Sequence, residues 1–245
     1  MRENLKKVLN YAVIFFLIYP FGLLLGITFV TLRWIGTIKI AHWERFPHFG
    51  EGILLVANHP SLLDPFLLAA MFYKRYLLNP LNGPLIVADQ NNFYNSWYWF
   101  WLKLFLIPVE RGNWHSEAAA VRQIKSALEK ERVVIIFPEG GRTLWGDKFL
   151  PSESSPKKIR ILKGGVGLLV RRTKATVVPV WIEGTEKFWP NSKDRKTLYT
   201  ELRLPRGETM TVNIGEPLHF SADTCREEVV QIIAGALLAL ADEEG

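Results

Sequence analysis

Val56-Ala57-Asn58-His59-Pro60-Ser61-Leu62-Leu63-Asp64-Pro65 is the stretch on which the reading of this chain turns. An apolar run, residues 53–57, leads into it and reads as a buried strand. A second apolar run, residues 66–72, leads out and reads as a helix. Asp64 followed by Pro65 is a helix-start signal, a cap residue before proline at the first helical position. His59 therefore falls on the strand-to-helix turn. In a helix, residues five apart point about 140° from each other at about 3.6 residues per turn; on a turn, His59 and Asp64 can meet. An imidazole with an unperturbed pKa of about 6.5, oriented by a carboxylate, is suited to deprotonating an alcohol near neutral pH. The same residues also carry a purely structural reading. Ser61-Leu62-Leu63-Asp64 fits a capping-box variant, in which Asp64 only satisfies backbone donors.

The alternation of strand and helix continues down the chain. Short apolar runs at residues 37–43, 84–88, 106–109, 132–137, 176–182 and 209–214 read as strands. Helices fit between several of them. One is capped by Asn113 or Ser116 and runs to about Lys130. A short one follows Gly164-Gly165-Val166-Gly167. The last is capped by Ser221 and carries an apolar stripe of Val229, Val230, Ile233, Ala236, Leu237 and Leu240. This order implies an α/β fold, expected as a mixed sheet flanked by helices. Residues 144–156 read as a mobile loop, and residues 183–207 show no clear element.

With 245 residues the chain can bury a core without disulfides. Its single cysteine, Cys225, excludes a disulfide framework and a cysteine-rich metal site. A net charge of +6 and a sequence pI near 9.4 favour an anionic partner. Residues 11–32 carry no charge and are long enough to cross a hydrocarbon core of about 30 Å. Pro20 and Gly22 interrupt them, so the segment reads as two short helices, residues 5–19 and 23–34. Basic residues flank both ends, Arg2, Lys6 and Lys7 before and Arg33 and Lys39 after, which suits a hairpin dipping into one leaflet. A single span and a buried helix pair are the alternatives. The chain thus divides into a membrane-anchoring helical segment, residues 1–34, and an α/β domain, residues 35–245. Residues 93–101 hold seven aromatics, Phe93, Tyr94, Trp97, Tyr98, Trp99, Phe100 and Trp101. They suit a membrane interface or an acyl-chain groove, with plain core as the alternative.

Four sites, in this order, resemble the glycerophospholipid acyltransferase family, the group that contains the 1-acyl-glycerol-3-phosphate acyltransferases. They are Asn58-His59-Pro60-Ser61-Leu62-Leu63-Asp64, Ile107-Pro108-Val109-Glu110-Arg111, Phe137-Pro138-Glu139-Gly140-Gly141-Arg142-Thr143 and Val177-Val178-Pro179-Val180. The resemblance covers roughly residues 50–185, and the first and third sites together make it specific. There are departures. The third site in this family most often has threonine where Gly141 stands and serine where Thr143 stands. The second more often has phenylalanine at Pro108, aspartate at Glu110 and a glycine near Phe105.

The resemblance implies transfer of a fatty acyl group from acyl-CoA or acyl carrier protein to a lysophospholipid, foremost 1-acyl-glycerol-3-phosphate, giving phosphatidic acid. His59 would take the proton of the acceptor hydroxyl as it attacks the thioester, and Asp64 would hold the imidazole tautomer. Arg111 and Arg142 are planar donors suited to phosphate. Glu139 would position the hydroxyl or orient an arginine, Gly140 and Gly141 would let the backbone approach a ligand, and Lys163 would add a phosphate contact. No metal or cofactor is expected, and transfer is expected to be direct, with Ser61 a helix cap rather than a nucleophile. The expected setting is monotopic, on the cytoplasmic face of the inner membrane. No P-loop, Gly-x-Ser-x-Gly elbow or His-Glu-x-x-His site is present. The aromatics are contiguous rather than interleaved with Lys and Arg, which argues against nucleic acid. The alternatives are a different lysolipid or amino-lipid acceptor, or a lipid-binding membrane protein without chemistry.

Overall fold

The computed structural model describes residues 13–48, 50–90, 102–173, 175–190, 203, 207–221 and 223–243. A π-helical turn, Ile14–Ile18, leads into α1, Tyr19–Trp34, and then β1, Ile38–Ala41. The opening stretch follows as β2, Ile53–Ala57, and α2, Asp64–Met71, with α3, Tyr73–Leu78, behind it. Next come β3, Leu85–Asp89, β4, Leu106–Val109, α4, Trp114–Leu128, and β5, Val133–Ile136. The remaining elements are β6, Phe149–Pro151, β7, Lys158–Arg160, α5, Gly165–Thr173, β8, Thr176–Glu183, α6, Thr185–Phe188, β9, Met210–Ile214, and α7, Arg226–Asp242.

Seven strands form one sheet in the order β1-β9-β8-β2-β5-β3-β4. Neighbours run parallel except β8 and β9, so the sheet is mixed, as expected. Strands covered on both faces need continuous apolar runs, and every residue of β2 is buried. Its alternate side chains build two cores. Leu54 and Val56 join Ile124 of α4, Val166 of α5 and Ile233 and Leu237 of α7. Ile53, Leu55 and Ala57 join Phe29 of α1 and Leu67 and Leu68 of α2 on the opposite face. Each such fully buried aliphatic side chain contributes about 1.5–3 kcal/mol, which holds β2 rigidly below the turn that it feeds.

Several local expectations change. The break at Pro20–Gly22 is absent: the described residues run as one helix from the π turn through Trp34, and residues 1–12 lie outside the description. Pro20 lies just past the π turn, so the bond that its missing N–H would have made falls where the helix changes its hydrogen-bonding pattern. Gly22 and Gly26 are buried notches against the rings of Tyr76 and Tyr73 rather than breaks. Tyr76 donates its hydroxyl to the Ile18 carbonyl, and Tyr19 donates to the Leu77 carbonyl at 2.9 Å. The stretch expected to be a mobile loop contains a hairpin instead, with Leu150 paired to Ile159. Its inward residue, Ile159, is fully buried, and Ser152 ties the hairpin to Asp242. Asn113 caps α4, accepting from His115 and Ser116 N–H. Cys225, not Ser221, caps α7, because Cys225 is the last extended residue before the apolar stripe. The aromatic run at residues 93–101 lies outside the described residues.

Candidate active site

The carboxyl edge of an α/β sheet is where ligand crevices form, and there the motif residues converge. Val56 of β2 pairs with Ile136 of β5, so the turns after these strands lie side by side. On the other flank Asn58 prolongs the pairing of β2 with β8. Its amide donates to the Ile182 carbonyl at 2.8 Å and accepts from the Ile182 N–H at 2.6 Å. This two-bond clip fixes the point at which His59 leaves the strand.

His59 Nδ1 lies 2.7 Å from Asp64 Oδ2. The same oxygen accepts the Ser61 N–H at 2.7 Å, while Ser61 Oγ accepts the Leu63 N–H at 3.2 Å. One carboxylate thus takes both the imidazole and a backbone donor, but the expected Ser61 cap is not formed: the residue ahead of α2 is Leu63, which makes no side-chain cap bond, and Ser61 Oγ closes the turn before it. Asp64 Oδ1 accepts the Thr185 hydroxyl at 2.5 Å. Asp64 is wholly buried, a position tolerable for a carboxylate only when its oxygens are hydrogen-bonded. With Nδ1 donating to Asp64, Nε2 is the basic nitrogen of the ring. The Phe137 ring stacks on the imidazole, centroids 4.2 Å apart and planes 23° from parallel. Ser61 Oγ itself donates to the Trp189 carbonyl at 2.8 Å.

Glu139 is the second wholly buried carboxylate of the site. Oε1 accepts the His59 N–H and the Thr143 hydroxyl, each at 2.8 Å, and Oε2 accepts the Arg160 N–H at 2.9 Å. The Thr143 N–H donates back to the His59 carbonyl at 2.7 Å. Glu139 thus clamps the His59 turn, its own turn and β7 together. Burial pushes its carboxyl pKa up, against the opposing pull of the Arg160, Thr143 and His59 donors.

The cations differ in exposure. Arg142 is 4% exposed, with its guanidinium carbon 3.4 Å above the centre of the Trp145 ring. Lys163 is exposed and donates its backbone N–H to the Pro138 carbonyl at 2.8 Å. Its side-chain stem lies against Gly140, which adopts φ +69°, a conformation that favours glycine. A Cβ at Gly141 would lie 2.7 Å from Arg160 Nη1. His59, Asp64, Glu139, Gly140, Gly141, Arg142 and Lys163 are therefore brought to adjoining turns. Arg111 stands apart at the end of β4, with β3 between that strand and β5. Its side chain is 56% exposed, and Nε lies 3.7 Å from Asp89 Oδ2. Sequence reasoning missed the roles of Asn58, Phe137, Thr185 and Arg160. Thr185 is 121 residues from Asp64, and no spacing rule links them. Asn58 and Phe137 stood inside quoted motifs, where adjacency to the charged residues was the available signal.

The fold and these turns define an α/β protein with a half-buried histidine, oriented by a buried carboxylate, at the carboxyl edge of its sheet. A family model described as Acyltransferase matches residues 37–183, and the chain belongs to that family. It is 24% identical to the probable 1-acyl-sn-glycerol-3-phosphate acyltransferase of Mycoplasma pneumoniae, covering 74% of this chain and 62% of that protein. It is 25% identical to the 1-acyl-sn-glycerol-3-phosphate acyltransferase of Helicobacter pylori, covering 71% of this chain and 66% of that one. The chain thus spans just under two thirds of the length of these curated relatives. The crystal structure of the 1-acyl-sn-glycerophosphate (LPA) acyltransferase PlsC from Thermotoga maritima shares the fold. Its TM-score is 0.57 at 18% identity, covering 97% of this chain and 80% of that one.

Proposed function

We propose that this protein transfers a fatty acyl group from acyl-CoA or acyl carrier protein to the free hydroxyl of 1-acyl-glycerol-3-phosphate, giving phosphatidic acid. The observation that carries this reading is the 2.7 Å contact between His59 Nδ1 and Asp64 Oδ2, which leaves Nε2 as a base. Nε2 takes the proton of the acceptor hydroxyl as its oxygen attacks the thioester carbonyl. Asp64 holds the tautomer and stabilises the imidazolium. Collapse of the tetrahedral intermediate breaks the C–S bond, and the imidazolium returns its proton to the departing sulfur. The acceptor alcohol occupies the nucleophile's place, so no acyl-enzyme is needed. Ser61 Oγ is engaged on both sides, accepting the Leu63 N–H and donating to the Trp189 carbonyl. Glu139 acts as a positioning residue, since its oxygens are taken by donors of the protein. Gly140 and Gly141 let the side chains of Lys163 and Arg160 lie close over that turn, and Arg142, Arg111 and Lys163 supply positive charge for phosphate. The names of the curated relatives support the acceptor.

The same reading sets the protein on a membrane, with residues 1–34 as anchor and residues 35–245 as the acyltransferase domain. Residues 15–34 form one helix with a mean hydropathy of 2.1, of which 22% is buried. Gly22, Gly26 and Phe29 face the protein, while Phe15, Phe16, Leu24, Ile27 and Trp34 are exposed. A helix packed lengthwise on α2 and α3 suits lying in one leaflet, with its apolar face in lipid. That supports a monotopic protein, and the cytoplasmic face of the inner membrane is proposed as its side.

The test is a panel of donors and acceptors on the purified protein. Phosphatidic acid formed from lysophosphatidate and either acyl-CoA or acyl carrier protein is the expected result. Faster acylation of a lysolipid lacking the phosphomonoester would reassign the acceptor, and no thiol release with any acceptor would sink the activity.

A further inference from the structure

Arg142 and Arg111 are the arginines that the motifs assign to phosphate, yet Arg142 is 4% exposed with a ring over its guanidinium, and Arg111 lies two strands from β5. A third arginine occupies the ground beside Glu139. Arg160 is the last residue of β7, and its backbone N–H is pinned to Glu139 Oε2 at 2.9 Å. Its half-buried side chain runs back over the turn between two glycines. A Cβ built at Gly141 would lie 2.7 Å from Arg160 Nη1. One built at Gly146 would lie 2.7 Å from its Cγ and 2.8 Å from its Cδ. Approaches that close are possible only because neither residue has a side chain.

Two basic side chains flank this turn, Arg160 against Gly141 and the stem of Lys163 against Gly140. Among the described residues, neither Arg160 nor Lys163 takes part in an ion pair, and neither side chain donates a hydrogen bond. The nearby carboxylate, Glu139, is turned inward onto backbone and hydroxyl donors. A guanidinium held at its stem, with no ion-pair partner among the described residues and with a lysine on the adjoining glycine, is matched to a dianionic phosphate.

We propose that Arg160, with Lys163, binds a phosphate group of a substrate over the Gly140–Gly141 turn, and that Gly141 and Gly146 are the space in which the guanidinium lies. The proposal rests on the acyltransferase reading for its choice of phosphate-bearing substrates. That phosphate belongs either to the lysophospholipid acceptor or to the pantetheine-linked donor. The chemistry of recognition is the same for both.

The experiment is calorimetric titration of the purified full-length protein in detergent with two soluble probes, glycerol 3-phosphate for the acceptor head and CoA for the donor. The wild type should bind at least one of them, and Arg160→Ala should weaken that binding about tenfold or more. The backbone bond to Glu139 survives this substitution, so the fold should be kept, as a thermal melt will record. Gly146→Ala should weaken the same probe while keeping every charge, because its methyl group displaces the guanidinium. Lys158→Ala, an equal loss of charge on the same strand, should change binding less than twofold. A loss confined to glycerol 3-phosphate assigns the acceptor, one confined to CoA the donor, and a loss of both a subsite that each can enter. Binding of neither probe by the wild type, an Arg160→Ala effect below twofold, or an equal effect of Lys158→Ala would overturn the proposal. Turnover with lysophosphatidate is scored separately. If it fails while phosphate binding still depends on Arg160, the acyltransferase reading falls and this site stands.

Discussion

Asp64 and Glu139 are both wholly buried carboxylates on neighbouring turns, and each accepts three hydrogen bonds from the protein. The donors differ in kind. Asp64 meets an imidazole, one backbone N–H and, on its other oxygen alone, the Thr185 hydroxyl. Glu139 has a backbone N–H on each oxygen. A hydroxyl can turn round and accept, but a backbone N–H cannot. The Asp64 site can therefore tolerate an amide in shape while losing the charge that an imidazolium needs. The Glu139 site tolerates no amide in either orientation. On the proposed reading, one carboxylate faces the chemistry and the other holds the frame.

That contrast is open to direct attack, beginning with the largest effect. His59→Ala should lower turnover by at least the ~10²–10⁴ typical of lost general-base catalysis, with little loss of fold. Asp64→Asn should be comparably severe in turnover yet mild in denaturant unfolding, because Thr185 can accept from the new amide. A large loss of stability in Asp64→Asn would erase the distinction between the two carboxylates.

Glu139→Gln should show the reverse profile. Opposing an amide NH₂ to the His59 or Arg160 N–H leaves a buried donor unsatisfied, at a cost of about 1–3 kcal/mol in unfolding experiments. Its pH dependence has a fixed sign. Burial raises the carboxyl pKa in the folded state, so the folded protein holds this proton at pH values where the unfolded chain has released it. Stability from this group is complete below the unfolded pKa and declines as pH rises through the folded one. Unfolding free energies measured across that range should fall less steeply in Glu139→Gln than in the wild type; parallel curves would count against the assignment.

The arginines extend the comparison to the rim. Arg142→Lys should cost both stability and activity, since a buried, stacked guanidinium is not replaced by an ammonium. Arg111→Lys should change stability by less than about 0.5 kcal/mol and act mainly on KM for the phosphate-bearing acceptor. Equal melting temperatures for the two variants would contradict the difference in burial. The smallest effect on turnover belongs to Ser61→Ala, which removes the hydroxyl's bonds to Leu63 and Trp189 and should cost about 1 kcal/mol of stability while keeping substantial turnover. Recovery of a donor-labelled peptide containing Ser61 would contradict that.

Much of this was legible from the sequence, for identifiable reasons. A fully buried strand must be written as an unbroken apolar run, and Ile53–Ala57 is one. The Asp64-Pro65 step marked the helix start and so put His59 on a turn. What failed were signals with two physical causes. Gly22 can end a helix or admit a ring, and only the presence of Tyr76 decides between them. Ser221 and Cys225 can both cap, and the φ/ψ of Cys225 settles the choice. The hairpin of β6 and β7 was too short to show a period, although Ile159 between Lys158 and Arg160 carried its inward residue. The clamp made by Glu139 was not legible because its three donors come from separate parts of the chain, two of them backbone N–H groups with no residue signature.

The account stands most directly on the timing of thiol release. Acyl-CoA mixed with the wild-type protein alone should release no burst of thiol. Adding lysophosphatidate should start release that matches phosphatidic acid mole for mole, and His59→Ala should abolish both. A stoichiometric burst of thiol before acceptor is added, or near-wild-type phosphatidic acid formation by His59→Ala, would contradict a histidine–aspartate pair that activates the acceptor itself.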